Sequence, residues 1–75
     1  MNAYFFHDAR GVVDGVNKRF SSPVAYAPAS LEVFINGLLL RRQDEDGWTV
    51  LTTTEFELKE APRVGDLVRI SFRIR

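Results

Sequence analysis

Three groups of residues in this chain have types that could do chemistry. His7 and Asp8 form its one adjacent histidine–carboxylate pair, and serines at 21, 22, 30 and 71 would supply a nucleophile for a hydrolytic triad. A triad needs its carboxylate to orient the imidazole, yet neighbours on an extended strand point to opposite faces. No Gly-x-Ser-x-Gly elbow is present either. Neither a catalytic residue nor an enzymatic activity is expected.

Asp44, Asp46 and the later Glu55 raise the possibility of a calcium loop. Such a loop needs its glycine at the sixth position, and Gly47 comes too early, with Trp48 where a ligand should stand. Asp46-Gly47 reads better as a turn, so neither metal nor cofactor is expected. The third group is basic: Arg69, Arg73 and Arg75 share one face of the last extended stretch, and Arg41-Arg42 end another. A basic stripe can bind nucleic acid, but carboxylates on Glu55 and Glu57 can pair with it across a ladder, Glu57 with Arg69 or a neighbour. Basic and acidic residues balance at ten each, so bulk charge draws neither nucleic acid nor an anionic membrane.

The elements that must position these groups are read from period and turn signals. "LEVFINGLLL" alternates Leu31, Val33 and Ile35 with Glu32, Phe34 and Asn36, the period of a strand. Asn36-Gly37 is a type I′ hairpin signal, because both central residues of that turn need positive φ. A hairpin of Ser30–Ile35 and Leu38–Arg42 is predicted, with Phe34 on the face opposite Val33 and Ile35. "WTVL" and "TTTEFELK" read as two more strands, with a turn or bulge at 52–54 and with Trp48, Val50, Phe56 and Leu58 inward. In "DLVRISFRIR", Val68, Ile70, Phe72 and Ile74 face one way and the arginines with Ser71 the other. A short strand through Lys18–Phe20 follows turn signals at Gly11 and Asp14-Gly15, and "SPVAYAPAS" reads as an extended crossover. No helical periodicity is sustained anywhere. The fold class is all-β: a small antiparallel β-sandwich, or partly closed barrel, of six to seven short strands.

With 75 residues and no cysteine, one domain over residues 11–75 is expected, its core small and without disulfide support. The expected core is Val33, Ile35, Leu40, Trp48, Val50, Phe56, Leu58, Val68, Ile70 and Phe72. Oligomerisation is the supplement left open. No apolar run approaches the ~18 residues of a membrane span, and "MNAYFFHDAR" lacks the basic and apolar regions of a signal peptide, so no membrane association is expected.

That N-terminal stretch, residues 1–10, carries three consecutive aromatics. They either pack back on the domain or reach a neighbouring subunit by adding a strand to it. Tyr4, Phe5, Phe6 and Phe34 are the candidate protein-interface residues, since aromatics are favoured at interfaces for the area they bury. Deleting residues 1–8 is expected to leave a folded domain with weakened self-association.

The ordered set "DGVNKRF", "SLEVFINGLLL", "GWTV", "TEFEL" and "EAPRVGDLVRISF" resembles a small β-sandwich module of tailed-bacteriophage virion proteins. The matching positions are Gly15, Asn17 and Phe20; Ser30 and Val33 to Gly37; Trp48 and Val50; Phe56 and Leu58; and Pro62, Gly65, Asp66, Val68, Ile70 and Phe72. The resemblance implies a virion structural protein: a tail, fibre, head-decoration or head–tail connector component assembled in the bacterial host cytoplasm. Its implied partners are further copies of itself, as a homo-oligomer, and other virion proteins. Two other classes stand beside it. One is a glycan-binding module using Trp48, Tyr26 and Tyr4. The other is a small barrel binding single-stranded nucleic acid through its arginine face.

Overall fold

The computed structural model describes the backbone of residues 4–40 and 47–75, and the side chains of 5–40 and 47–75. Among these residues, seven strands form two antiparallel sheets: β1 (Tyr4–Asp8), β2 (Arg19–Ser21), β3 (Glu32–Ile35), β4 (Leu38–Leu39), β5 (Trp48–Val50), β6 (Glu55–Leu58) and β7 (Val68–Arg73). The larger sheet runs β1-β7-β3-β4 and the smaller β2-β6-β5. The barrel alternative is not realised. Among the described residues, the sheets touch along their backbones where Arg10 and Ser21 exchange 2.8 Å bonds and where Tyr26 bridges Ile74, at the end of β7.

The hairpin between β3 and β4 turns at Asn36 and Gly37, whose φ values of 51° and 86° both lie in the left-handed region that an Asn-Gly turn supplies. Its arms are shorter than the sequence suggests. Ser30 belongs to a 3-10 turn over Pro28–Ser30 rather than to the strand. Its hydroxyl accepts from the Arg73 amide at 2.9 Å and donates to the Ala27 carbonyl at 2.7 Å, fastening the crossover to the end of β7. The second arm ends at Leu39, and Arg41 and Arg42 lie outside the described residues.

Alternation along the strands builds the core. Phe56 and Leu58 on β6, and Val68, Ile70 and Phe72 on β7, are buried, as is Val33 on β3. Each such side chain contributes roughly 1.5–3 kcal/mol by leaving water. Phe20, Tyr26 and Leu31 join them, although the sequence places none of these three in the core. Ile35, Leu40 and Val50 lie only partly buried against it. Ile74, expected inward, is 44% exposed because regular pairing of β7 stops at Arg73. Gly11 is required by packing: a Cβ there would sit 2.5 Å from Cδ2 of the buried Phe20 ring.

One expectation of neighbourhood is corrected. Glu57 does not meet Arg69, because β6 and β7 lie in different sheets. Glu57 stands opposite Arg19 on β2, 3.7 Å away, and Arg69 pairs instead with Asp8 on β1. The sequence makes β6 and β7 consecutive, but the loop between them crosses from one sheet to the other.

Candidate protein interface

The N-terminal aromatics form an edge strand on their own domain. β1 pairs in antiparallel register with β7 from Tyr4↔Arg73 to Asp8↔Arg69. Strand alternation then sorts neighbouring side chains to opposite faces. Phe5 and His7 turn inward. The Phe5 ring stacks on Phe72 with centroids 6.1 Å apart, and on His7 at 5.7 Å. Phe6 and Asp8 turn outward. The histidine–carboxylate pair is thereby split, His7 against aromatic rings and Asp8 on the solvent side with Arg69.

The outer face of the larger sheet gathers the other candidates. Phe34 is outward on β3 because Val33 and Ile35 are inward, and it stands opposite Arg69 on one side and Leu39 on the other. Phe6 stands opposite Ser71 on β7, and that small side chain leaves room for the Phe6 and Phe34 rings to meet above it. Their centroids are 5.5 Å apart at 48°, a tilted aromatic pair. The Arg69 guanidinium lies 4.3 Å from the Phe6 ring centroid while its Nε reaches Asp8 Oδ1 at 3.1 Å. This bridge is largely exposed and contributes at most about 1 kcal/mol. Its larger effect is local: the cation is neutralised in place and its flat face covers a ring.

The result is a patch of Phe6, Phe34 and Leu39 framed by a closed ion pair. Phe6 is 50% exposed and Leu39 is 56% exposed. Two of the four candidate residues, Phe6 and Phe34, therefore meet on one outward surface. Phe5 is packed against the core, and only the backbone of Tyr4 is placed, opposite Arg73. Leu39 and Arg69 complete the patch. The hairpin register carried the signal for Leu39, since Phe34 and the second residue after Gly37 fall opposite one another in a two-residue turn.

The aromatics of the glycan reading do not present stacking faces. Trp48 is 2% exposed and Tyr26 is fully buried, and both belong to the core. The single proton of the Tyr26 hydroxyl is shared between the carbonyls of Thr52 (2.8 Å) and Glu55 (2.7 Å), closing the turn between β5 and β6. The other expected groups are dispersed. Ser22 is buried and bonded to the Val24 carbonyl at 2.6 Å, and Asp44 and Asp46 lie outside the described residues.

A shallow groove of about 310 Å³ opens at the hairpin end, lined in part by Ile35, Leu38, Leu40 and Pro62. Of its two carboxylates, Glu60 and Asp66, the second is occupied: Asp66 accepts from Asn36 Nδ2 at 2.9 Å and from the Arg63 amide at 2.8 Å. These bonds, that from Asn36 foremost, hold the carboxyl below the usual aspartate range. Comparison with protein-family models, with curated proteins and with solved structures gives no match.

Proposed function

We propose that this chain is a structural component of a tailed-bacteriophage virion, a small β-sandwich that works by self-assembly and by contact with other virion proteins. The observation that carries the reading is the outward patch of Phe6, Phe34 and Leu39 on a domain whose opposite sheet face forms the core. An exposed aromatic cluster is the composition of a protein contact, and the Asp8–Arg69 pair gives it a polar border. The order of motifs gives the class: a Gly-x-Asn-x-x-Phe strand, an Asn-Gly hairpin, and a Pro…Gly-Asp loop into a final strand. Two of those motifs meet in space, since Asn36 of the hairpin bonds Asp66 of the loop.

Arg69, one of the three arginines of the basic stripe, is engaged by Asp8 and Phe6, which argues against a nucleic-acid reading. The test is the solution mass of the purified chain by light scattering over a wide concentration range. A defined homo-oligomer is expected. A monomer throughout that range removes self-assembly from the reading.

A further inference from the structure

The free edge of β1 has a definite hydrogen-bonding parity. Ala9 N–H donates to the Val68 carbonyl at 2.9 Å, so Ala9 faces β7 with its backbone. The next residue, Arg10, exchanges its N–H and C=O with Ser21 on the other side, at 2.8 Å each way. Backbone groups alternate in direction along a strand. The backbones of Phe5 and His7 therefore face β7, and those of Tyr4, Phe6 and Asp8 face away from it. Among the described residues, β1 pairs over Tyr4–Asp8 with β7 alone. Among those residues, the outward donors and acceptors of Phe6 and Asp8 form an open edge.

Such edges are commonly protected by proline, lysine, a bulge or an inward charge. "YFFHD" has none of these devices. Its one carboxylate is outward and already bound to Arg69.

We infer that this edge docks on the same edge of a second copy of the chain, antiparallel, with the two-fold axis at Phe6. This rests on the reading of the chain as a self-assembling component. Parity and overlap together select the centre. Axes through Phe5, Phe6 or His7 all align outward-facing groups, but one at His7 sets Tyr4 against Arg10, whose backbone already bonds Ser21, and one at Phe5 leaves Asp8 without a partner in β1. The axis at Phe6 pairs Tyr4, Phe6 and Asp8 in full. Phe6 then pairs with its counterpart, and Tyr4 with Asp8 of the second copy, each pair exchanging both N–H···O=C bonds. The side chains agree with that register. No like charges stand opposite one another, Phe5 falls beside the second copy's imidazole, and the two Phe6 rings lie next to each other on the outer face. The patches of Phe6 and Phe34 become one aromatic band across a continuous eight-stranded sheet. The contact is isologous, so each copy satisfies the other with the same surface.

Two substitutions in the full chain test the inference. Phe6→Pro removes the edge-facing N–H and no bond to β7, and proline is tolerated on edge strands in that orientation. The expected result is a wild-type dimer, or an even-numbered assembly built from it. The proline variant should fall to half the mass with an unchanged far-ultraviolet circular dichroism spectrum. Phe6→Cys introduces the chain's only thiol. Paired residues of this kind lie about 5.5 Å apart at Cα, within disulfide reach. Diamide should convert this variant to a covalent dimer, whereas Leu38→Cys at the opposite edge should stay monomeric under the same conditions. If the proline variant unfolds, the thiol variant decides alone. A wild-type oligomer of odd number, or one that gives no cross-link at position 6, overturns the β1 contact and leaves self-assembly standing. A wild-type monomer at every concentration overturns both.

Discussion

Asn36 and Asp66, thirty residues apart in the chain, hold each other across the hairpin end of the sandwich. Asn36 Nδ2 donates to Asp66 Oδ1 at 2.9 Å, and Asn36 Oδ1 accepts from the Leu67 amide at 2.9 Å. The same asparagine supplies the left-handed backbone of the turn. One side chain thus sets the β3–β4 hairpin and fixes it to the loop that leads into β7. A hairpin this short has few ladder bonds of its own, so the cross-link fixes where its tip lies.

That arrangement predicts an acid-side loss of stability. The Asp66 carboxyl is lowered by Asn36 first and by the Arg63 amide second; the Asp14 carboxyl is lowered by the Asn17 and Val16 amides. A carboxyl lowered in the folded state stabilises the fold above its unfolded value of 3.8, and the contribution fades as pH falls through the folded value. Melting temperature should be flat from pH 7 to about pH 5 and fall below about pH 4. Asp66→Asn should melt lower at neutral pH and show a shallower acid slope than the wild type. An unchanged slope would mean that this carboxylate does not couple to folding.

Tyr26 is the second test, because its hydroxyl serves two carbonyls at once. Removing it in Tyr26→Phe takes the hydroxyl donor from the Thr52 carbonyl, while the Glu55 carbonyl keeps the Leu51 and Thr52 amides and the ring stays in place against Phe72. The expected cost is about 1–3 kcal/mol in urea unfolding, with the denaturant slope unchanged. A cost near zero would show that water replaces the hydroxyl.

Tyr26 also shows where the sequence stops being legible. Strands with strict alternation, such as Glu55–Leu58 and Val68–Arg73, could be read directly, and so could the Asn-Gly turn, because period and turn chemistry are local properties. Tyr26 lies among prolines and alanines with no period. Its burial follows from Thr53, whose carbonyl accepts the Tyr26 amide at 2.9 Å, and from Ile74, which Tyr26 bridges. Both contacts are distant in sequence. The separation of β6 from β7 was hidden for the same reason: alternation reveals which face a residue is on, not which strand is its neighbour. At the candidate interface, alternation marked Phe34 as outward. Three consecutive aromatics at 4–6 could not reveal their own parity until the pairing with β7 fixed it.

The sharpest prediction concerns adjacent residues. Phe5 and Phe6 have the same side chain and sit on the same strand, yet one faces the core and the other the solvent. Phe5→Ala removes the stack on Phe72 and opens a gap at the rim of the core, and should cost about 2–3 kcal/mol in chemical unfolding. Phe6→Ser removes a half-exposed ring and should change monomer stability by about 1 kcal/mol or less, while reducing the mass measured by light scattering. Removing residues 1–8 combines the two effects. It strips β1 from β7, uncovers Phe72 and Ile70, and should leave the rest far less stable than the intact chain, contrary to the expectation that the segment is dispensable for folding. Equal loss of stability from Phe5→Ala and Phe6→Ser would contradict the parity of β1, and with it the placement of Phe6 on the outer face.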